Sequence, residues 1–93
     1  MPSVMATLKV REDKVDEAKS FLKQLAADTL EKESGTLAYT VHQRKDDPCS
    51  FVFYEKYASD AALAEHSKNL KSVGARFAGI LAGPPEIVLL DEL

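Results

Sequence analysis

The sequence is poor in several residues that specialised proteins depend on. It has one cysteine and no tryptophan in 93 residues. The single Cys49 excludes an internal disulfide and a metal site built from several cysteines. No apolar run approaches the roughly 20 residues that a membrane-spanning helix requires, and residues 1–6 lack the basic start of a signal peptide. We therefore expect a cytoplasmic protein without a membrane partner.

Positive charge and short catalytic motifs are also scarce. The formal net charge is −3, whereas nucleic acids and anionic lipids attract basic patches. The chain has no glycine-rich phosphate loop, no HExxH, no CxxC and no nucleophile elbow. Its two histidines and scattered carboxylates lack the spacing of metal ligands. These absences predict no nucleic-acid partner and no dedicated metal site.

What is present is an ordinary globular composition, 45% apolar and 29% charged, arranged in alternating strand and helix patterns. Residues 4–10 alternate apolar and polar side chains, which indicates a strand. A helix is predicted to start at Asp13, with apolar residues at steps of three and four as far as Leu30. Gly35 is placed to end that helix in a left-handed conformation.

A hairpin and a second helix follow. Residues 36–44 and 50–58 read as strands separated by a polar turn, which predicts an antiparallel pair. Ser59 or Asp60 caps the next helix. If this helix is continuous, one stripe holds His66, Leu70, Val73, Phe77 and Ile80, although Gly74 could allow a bend. Residues 86–93 read as a last strand.

This order of elements predicts the fold class. Strand, helix, strand, strand, helix, strand is the ferredoxin-like βαββαβ arrangement, an α+β fold with a four-stranded antiparallel sheet, here as one domain over residues 1–93. Both helices would cover one face. However, the third strand places Phe53 and Tyr57 on one side and Val52 and Tyr54 on the other. Because a half-covered sheet should be polar on its free face, we expect a homodimer packed sheet to sheet.

Two titratable residues lie on apolar faces and are the candidates for chemistry. Glu55 shares its strand face with aromatic residues; burial would raise its pKa and make it an acid or base near neutral pH. Alternatively it is structural, paired with Arg76, His66 or a backbone amide. His66 lies on the apolar stripe of the second helix, where it could accept a proton or be a satisfied core residue. Together they could form an oriented base.

Other polar and aromatic residues have less specific interpretations. Tyr39 is predicted to share a face with Leu37 and Val41, where it either packs or presents its hydroxyl to a ligand. His42 falls on the opposite side and is expected to be solvated. Tyr54 is expected at the dimer interface, where aromatic residues are favoured.

Four segments resemble the antibiotic biosynthesis monooxygenase superfamily of dimeric α+β barrel proteins, which includes quinol monooxygenase-like proteins. They are residues 33–42, 47–48, 51–57 and 61–66. At Tyr57 family members commonly have tryptophan. The resemblance implies a homodimer in which two sheets form a barrel, with a pocket in each subunit between the sheet and the helices.

The resemblance also implies an activity. Some members oxidise phenolic or quinol-type aromatic molecules without a cofactor: the protein deprotonates the substrate, and the electron-rich anion reacts directly with oxygen. In this chain the resemblance suggests Glu55 and His66 for polar contact or proton transfer. The candidate pocket walls are four aromatic residues, Tyr39, Phe53, Tyr57 and Phe77.

Three alternatives remain open within the resemblance. Some relatives isomerise a small phosphorylated signalling sugar, for which Arg76, Lys68 and Lys71 would supply a weak basic cluster. Others bind and degrade haem through an asparagine in the first strand, a tryptophan and a histidine; this chain has Thr7 in that strand and no tryptophan. A noncatalytic dimeric binding or stress protein is the third.

Overall fold

One antiparallel sheet organises the chain, which is described by a computed structural model covering residues 1–93. The strands are Pro2–Lys9 (β1), Thr36–Gln43 (β2), Ser50–Tyr57 (β3) and Glu86–Asp91 (β4), and the helices are Val15–Lys32 (α1), Asp60–Asn69 (α2) and Gly74–Ile80 (α3). The strand order is β2–β3–β1–β4, with every neighbouring pair antiparallel. The predicted ferredoxin-like α+β fold is confirmed.

The core lies on the helix-covered face of the sheet, and strand alternation decides which residues reach it. In the central strand β1, Val4, Ala6 and Leu8 are buried. Ala6 pairs with Phe53 on one side and Ile87 on the other. Paired residues of antiparallel strands point to the same face, so the sheet presents continuous rows of side chains to the helices.

Helix α1 differs from the prediction at its start and on its buried face. A 3-10 turn at Glu12–Lys14 precedes it, so the α-helix begins at Val15 rather than at Asp13. Near its end Thr29 is buried, whereas Leu30 is 45% exposed. Thr29 lies on the same buried face of the helix as Leu22, whereas Leu30 lies next to that face and is exposed.

Gly35 does not adopt the predicted left-handed conformation, because no residue of the chain has a positive φ. Its role is close approach instead. A Cβ at Gly35 would lie 2.6 Å from the Cβ of Ala62, far inside van der Waals contact. The glycine therefore lets the start of β2 pack directly against the first turn of α2.

The hairpin is formed as predicted, with one irregularity in β2. The pairing with β3 shifts register between Thr36 and Ala38. This bulge turns Leu37 outward, where it is 49% exposed, while Tyr39 is buried. The prediction that Leu37 and Tyr39 share a face is therefore wrong, because strand alternation is interrupted between them.

The second helical region is broken rather than continuous. Ser59 caps α2 as predicted, accepting a hydrogen bond from the Ala62 amide at 3.1 Å. A 3-10 segment, Leu70–Val73, then separates α2 from α3, which begins at Gly74. Most of the apolar stripe survives the break, because His66 and Ile80 are buried and Val73 and Phe77 pack against the core.

The edge strand β4 is uncovered on both sides, which the sequence pattern did not predict. All six of its residues are exposed, including Ile87 and Leu89 on the helix side. The opposite face of the sheet carries Tyr54, Met5 and Val88, which are paired across three strands and are each more than a third exposed. The outer face of the sheet thus carries an exposed apolar row across three strands.

Candidate functional site

An apolar cavity of about 290 Å³ lies between the sheet and the chain around α3. Ten residues line it, of which eight are hydrophobic: Ala6, Leu8, Tyr39, Phe53, Glu55, Leu70, Phe77, Leu81, Pro85 and Ile87. Tyr39 and Glu55 are the two polar members. The uncovered strand β4 contributes Ile87, so the cavity lies next to the sheet edge that no helix covers. Such a cavity suits a small apolar molecule with one polar group.

Glu55 is the only charged side chain of the cavity wall. It is 6% exposed, and its Oε1 accepts a hydrogen bond from the Tyr57 hydroxyl at 2.6 Å. Burial raises the pKa of Glu55, while the Tyr57 hydrogen bond and the charge of His66 partly oppose that increase. Burial likewise raises the pKa of Tyr57. Tyr57 is therefore a hydrogen-bond donor, and Glu55 is able to exchange a proton at higher pH than an ordinary glutamate.

His66 is held behind the cavity wall by aromatic packing and a carboxylate. It is 2% exposed, and its ring centre lies 4.8 Å from that of Tyr39 and 5.4 Å from that of Tyr57. Its Nδ1 lies 2.9 Å from Oε1 of Glu33. Its Nε2 is buried and has no hydrogen-bond partner. The imidazole is therefore fixed in place with one nitrogen unused.

Most residues of this site lie in a segment that matches a known protein family. The sequence profile of antibiotic biosynthesis monooxygenases matches residues 1–73. The chain belongs to the antibiotic biosynthesis monooxygenase family. The matched residues include Glu33, which directly follows α1, and the elements β2, β3 and α2, which carry Tyr39, Glu55 and His66. Among curated proteins, none shows significant similarity to this family member.

Solved structures of similar proteins have the same fold. A Caulobacter crescentus protein, described as a candidate antibiotic biosynthesis monooxygenase, is 34% identical with a TM-score of 0.91, over 99% of this chain and 89% of that one. A conserved Methanosarcina mazei protein is 26% identical with a TM-score of 0.88, over 99% and 92% of the two chains. A Nitrosomonas europaea protein, also described as a candidate antibiotic biosynthesis monooxygenase, is 24% identical with a TM-score of 0.87. The match covers 100% of this chain and 99% of that one.

Four of the six predicted site residues line the cavity of this family member: Tyr39, Phe53, Glu55 and Phe77. Tyr57 and His66 lie behind them, Tyr57 bonded to Glu55 and His66 packed against Tyr39. Glu55 and His66 share no hydrogen bond, although their charges interact. The suggested partner Arg76 lies elsewhere, 4.1 Å above the ring of Phe21.

Sequence reasoning missed Glu33 as a member of the site. Thr36 Oγ1 donates to its Oε1 at 2.8 Å and Asn69 Nδ2 donates to its Oε2 at 3.2 Å, in addition to the His66 contact. Burial would raise the pKa of Glu33, but these hydrogen bonds outweigh it and lower the pKa. The one available signal was its place at the start of the family-like segment 33–42.

Neither a metal cluster nor a membrane span accompanies the site. No three His, Cys, Asp or Glu side chains converge as metal ligands would. No helix combines the length and apolar character needed to cross a bilayer.

Proposed function

We propose that this family member is a cofactor-independent monooxygenase acting on a small phenolic or quinol-type aromatic molecule. The observation that carries the proposal is the cavity of about 290 Å³ in which eight of ten lining residues are apolar and the only charged one is Glu55. Its size is near the lower end of the range of about 300–1,000 Å³ common for ligand pockets. Family membership supports the reaction class, and the cavity supports the substrate class.

The proposed chemistry begins with loss of a proton from the substrate. Glu55 offers an oxygen that Tyr57 does not occupy, and its raised pKa makes it a stronger base than an ordinary glutamate. The aromatic side chains of Tyr39, Phe53 and Phe77 form an apolar wall that reduces contact of the resulting anion with water. The electron-rich anion then reacts with oxygen. One oxygen atom enters the product and the other leaves as water, with the electrons supplied by the substrate.

The other functions open to the family receive less support from the cavity. A phosphorylated sugar would require cationic side chains, and neither Arg76, Lys68 nor Lys71 lines the cavity. Thr7, in the strand where haem-degrading relatives use asparagine, is likewise absent from the lining. It belongs to the opposite face of β1 from Ala6 and Leu8. These positions favour an apolar aromatic substrate.

We also propose that the protein works as a cytoplasmic homodimer, with the outer faces of two sheets in contact. The exposed row of Tyr54, Met5 and Val88 supports this arrangement, because an exposed apolar patch of this kind marks an interaction surface. The chain also has one cysteine, Cys49, and it is free, as suits a reducing compartment.

Oxygen uptake tests the proposed reaction. Purified protein is mixed with a panel of quinols and anthrones in an oxygen electrode, and protein-dependent uptake is expected with at least one of them. Glu55→Ala, His66→Ala and the double variant are then compared on that substrate. We expect turnover to fall by about 10²–10⁴-fold, the usual contribution of a positioned acid or base.

Two matched variants control for nonspecific effects of mutation. His42 is exposed on the opposite face of the sheet and Glu65 is exposed on α2. His42→Ala and Glu65→Gln should therefore leave turnover unchanged. Full turnover by the Glu55→Ala/His66→Ala double variant would contradict the proposed roles of both residues.

A further inference from the structure

We propose that Glu33 is a positioning residue that fixes His66 with its proton on Nδ1 and its free lone pair on Nε2. The catalytic consequence rests on the proposed function: His66 lies behind the cavity wall, so it would accept the proton that Glu55 takes from the substrate rather than act on the substrate itself. The arrangement of the two side chains stands independently of any substrate.

The first step concerns which nitrogen carries the proton. An ionised carboxylate offers only hydrogen-bond acceptors, and Nδ1 of His66 lies 2.9 Å from Oε1 of Glu33. Hydrogen bonds to Glu33 lower its pKa, so the carboxylate is ionised at neutral pH. Nδ1 must therefore be the donor. In neutral imidazole the other nitrogen, Nε2, is then an acceptor and a potential base.

The second step concerns how firmly Glu33 is held. Thr36 donates to Oε1 and Asn69 donates to Oε2, so both oxygens of the carboxylate are engaged. These donors come from β2 and α2, the two elements between which the carboxylate lies. A carboxylate bonded on both sides cannot turn away from the imidazole without losing hydrogen bonds. The orientation of His66 is thus set by two elements of secondary structure at once.

The third step concerns the unpaired nitrogen. The two nitrogens lie on opposite sides of the imidazole ring, so Nε2 points away from Glu33. It is buried without a partner, beside the rings of Tyr39 and Tyr57. Buried polar atoms are almost always hydrogen-bonded, and a histidine with a purely structural role would be expected to pair both nitrogens. An oriented but unpaired Nε2 fits a group reserved for proton transfer.

The fourth step concerns the route of the proton to solvent. Glu33 lines a groove between the end of α1 and the 3-10 segment, together with Lys32, Asn69 and Ser72. It also lines a second depression beside Gly35. The carboxylate therefore connects a buried imidazole with two solvent-facing surfaces. A proton accepted at Nε2 can be balanced by release of the Nδ1 proton on the Glu33 side.

Nitrogen NMR of the labelled protein tests the arrangement directly. In ¹⁵N-histidine-labelled wild type at a pH where His66 is neutral, we expect the signals of a single tautomer, with Nδ1 protonated and Nε2 bare. In Glu33→Gln the amide can donate as well as accept, so the Nε2-protonated tautomer should become populated. Glu31→Gln removes an exposed carboxylate from the same helix end and should leave the wild-type tautomer.

Kinetics on a substrate identified by oxygen uptake supply the second readout. Glu33→Gln should lower kcat at least about tenfold with little change in KM, because it disturbs the base and not the cavity wall. A wild-type protein with the Nε2-protonated tautomer would overturn the proposal, and so would a Glu33→Gln variant with wild-type tautomer and kcat. The wild-type spectrum decides the question even if the variant does not fold.

The two readouts separate this inference from the proposed function. If no quinol or anthrone is turned over but the tautomer responds to Glu33→Gln as expected, the proposed reaction fails and the positioning of His66 stands. If turnover is found and the tautomer is the opposite one, the reaction stands and the role of Glu33 fails.

Discussion

The Tyr57 hydroxyl donates a hydrogen bond of 2.6 Å to Oε1 of Glu55, two residues earlier on the same strand. Residues two apart on a strand point to the same face, so β3 carries both the carboxylate and the group that holds it. The other carboxylate oxygen has no such donor. The bond therefore fixes one oxygen of the Glu55 carboxyl group and leaves the other without a hydrogen bond.

Tyr57→Phe removes this donor and should destabilise the protein by about 1 kcal/mol, the usual net contribution of a hydrogen bond. It should also raise the pKa of Glu55 further, because the hydrogen bond lowers it. Urea unfolding measures the first effect, and a carbon NMR titration of the Glu55 carboxyl measures the second. Tyr54→Phe, on the outer face, is the control for the titration and should leave the pKa of Glu55 unchanged. An unchanged Glu55 titration in Tyr57→Phe would argue against the orienting bond.

Glu55→Gln should change how stability depends on pH. The pKa of Glu55 is raised by burial above its ordinary value of 4.5, so between the two values the folded state binds more protons than the unfolded state. Its contribution to the free energy of unfolding is therefore present at acid pH and decreases as pH rises through the folded pKa. The loss is about 1.4 kcal/mol for each pH unit between the two values.

Glu55→Gln lacks this pH-dependent loss of unfolding free energy, so its stability relative to wild type should increase from acid to neutral pH. Urea unfolding of both proteins across a pH series measures the difference. Glu33 has a lowered pKa, so its contribution to the free energy of unfolding decreases as pH falls. Because Glu33 is present in both proteins, this contribution cancels in their difference. A difference that stays constant with pH would show that burial does not perturb Glu55.

Local periodicity predicted the fold and the buried position of both titratable residues. Alternation along β3 placed Glu55 on the face of Phe53 and Tyr57, and the stripe of the second helix placed His66 toward the core. The partner of His66 was not predictable in this way. Glu33 is separated from it by 33 residues of chain, and its contact depends on how closely β2 approaches α2. The bulge beside Leu37 was equally hidden, because an inserted residue leaves no periodic signal.

Gly35→Ala tests the close approach that brings Glu33 to His66. The added Cβ would lie 2.6 Å from the Ala62 Cβ, and we expect a destabilisation of about 1–3 kcal/mol from overpacking. The control Gly79→Ala adds a methyl group with no atom within 4 Å inside α3, and should stabilise by about 0.5–1 kcal/mol. Thermal unfolding measures both. Combining Gly35→Ala with Ala62→Gly should restore much of the loss; no recovery in the double variant would place the cause elsewhere.

Val88→Glu tests the proposed sheet-to-sheet homodimer. Val88 pairs with Met5 on the outer face of the sheet, so a charge there would be buried between two subunits at high cost. We expect wild type to sediment as a dimer and Val88→Glu as a monomer at the same concentration. Leu30→Glu adds the same charge at a similarly exposed apolar residue of α1, on the far side of the molecule from that face, and should remain dimeric. A monomeric wild type would contradict the proposed dimer. A dimeric Val88→Glu variant would show that the interface does not include this face.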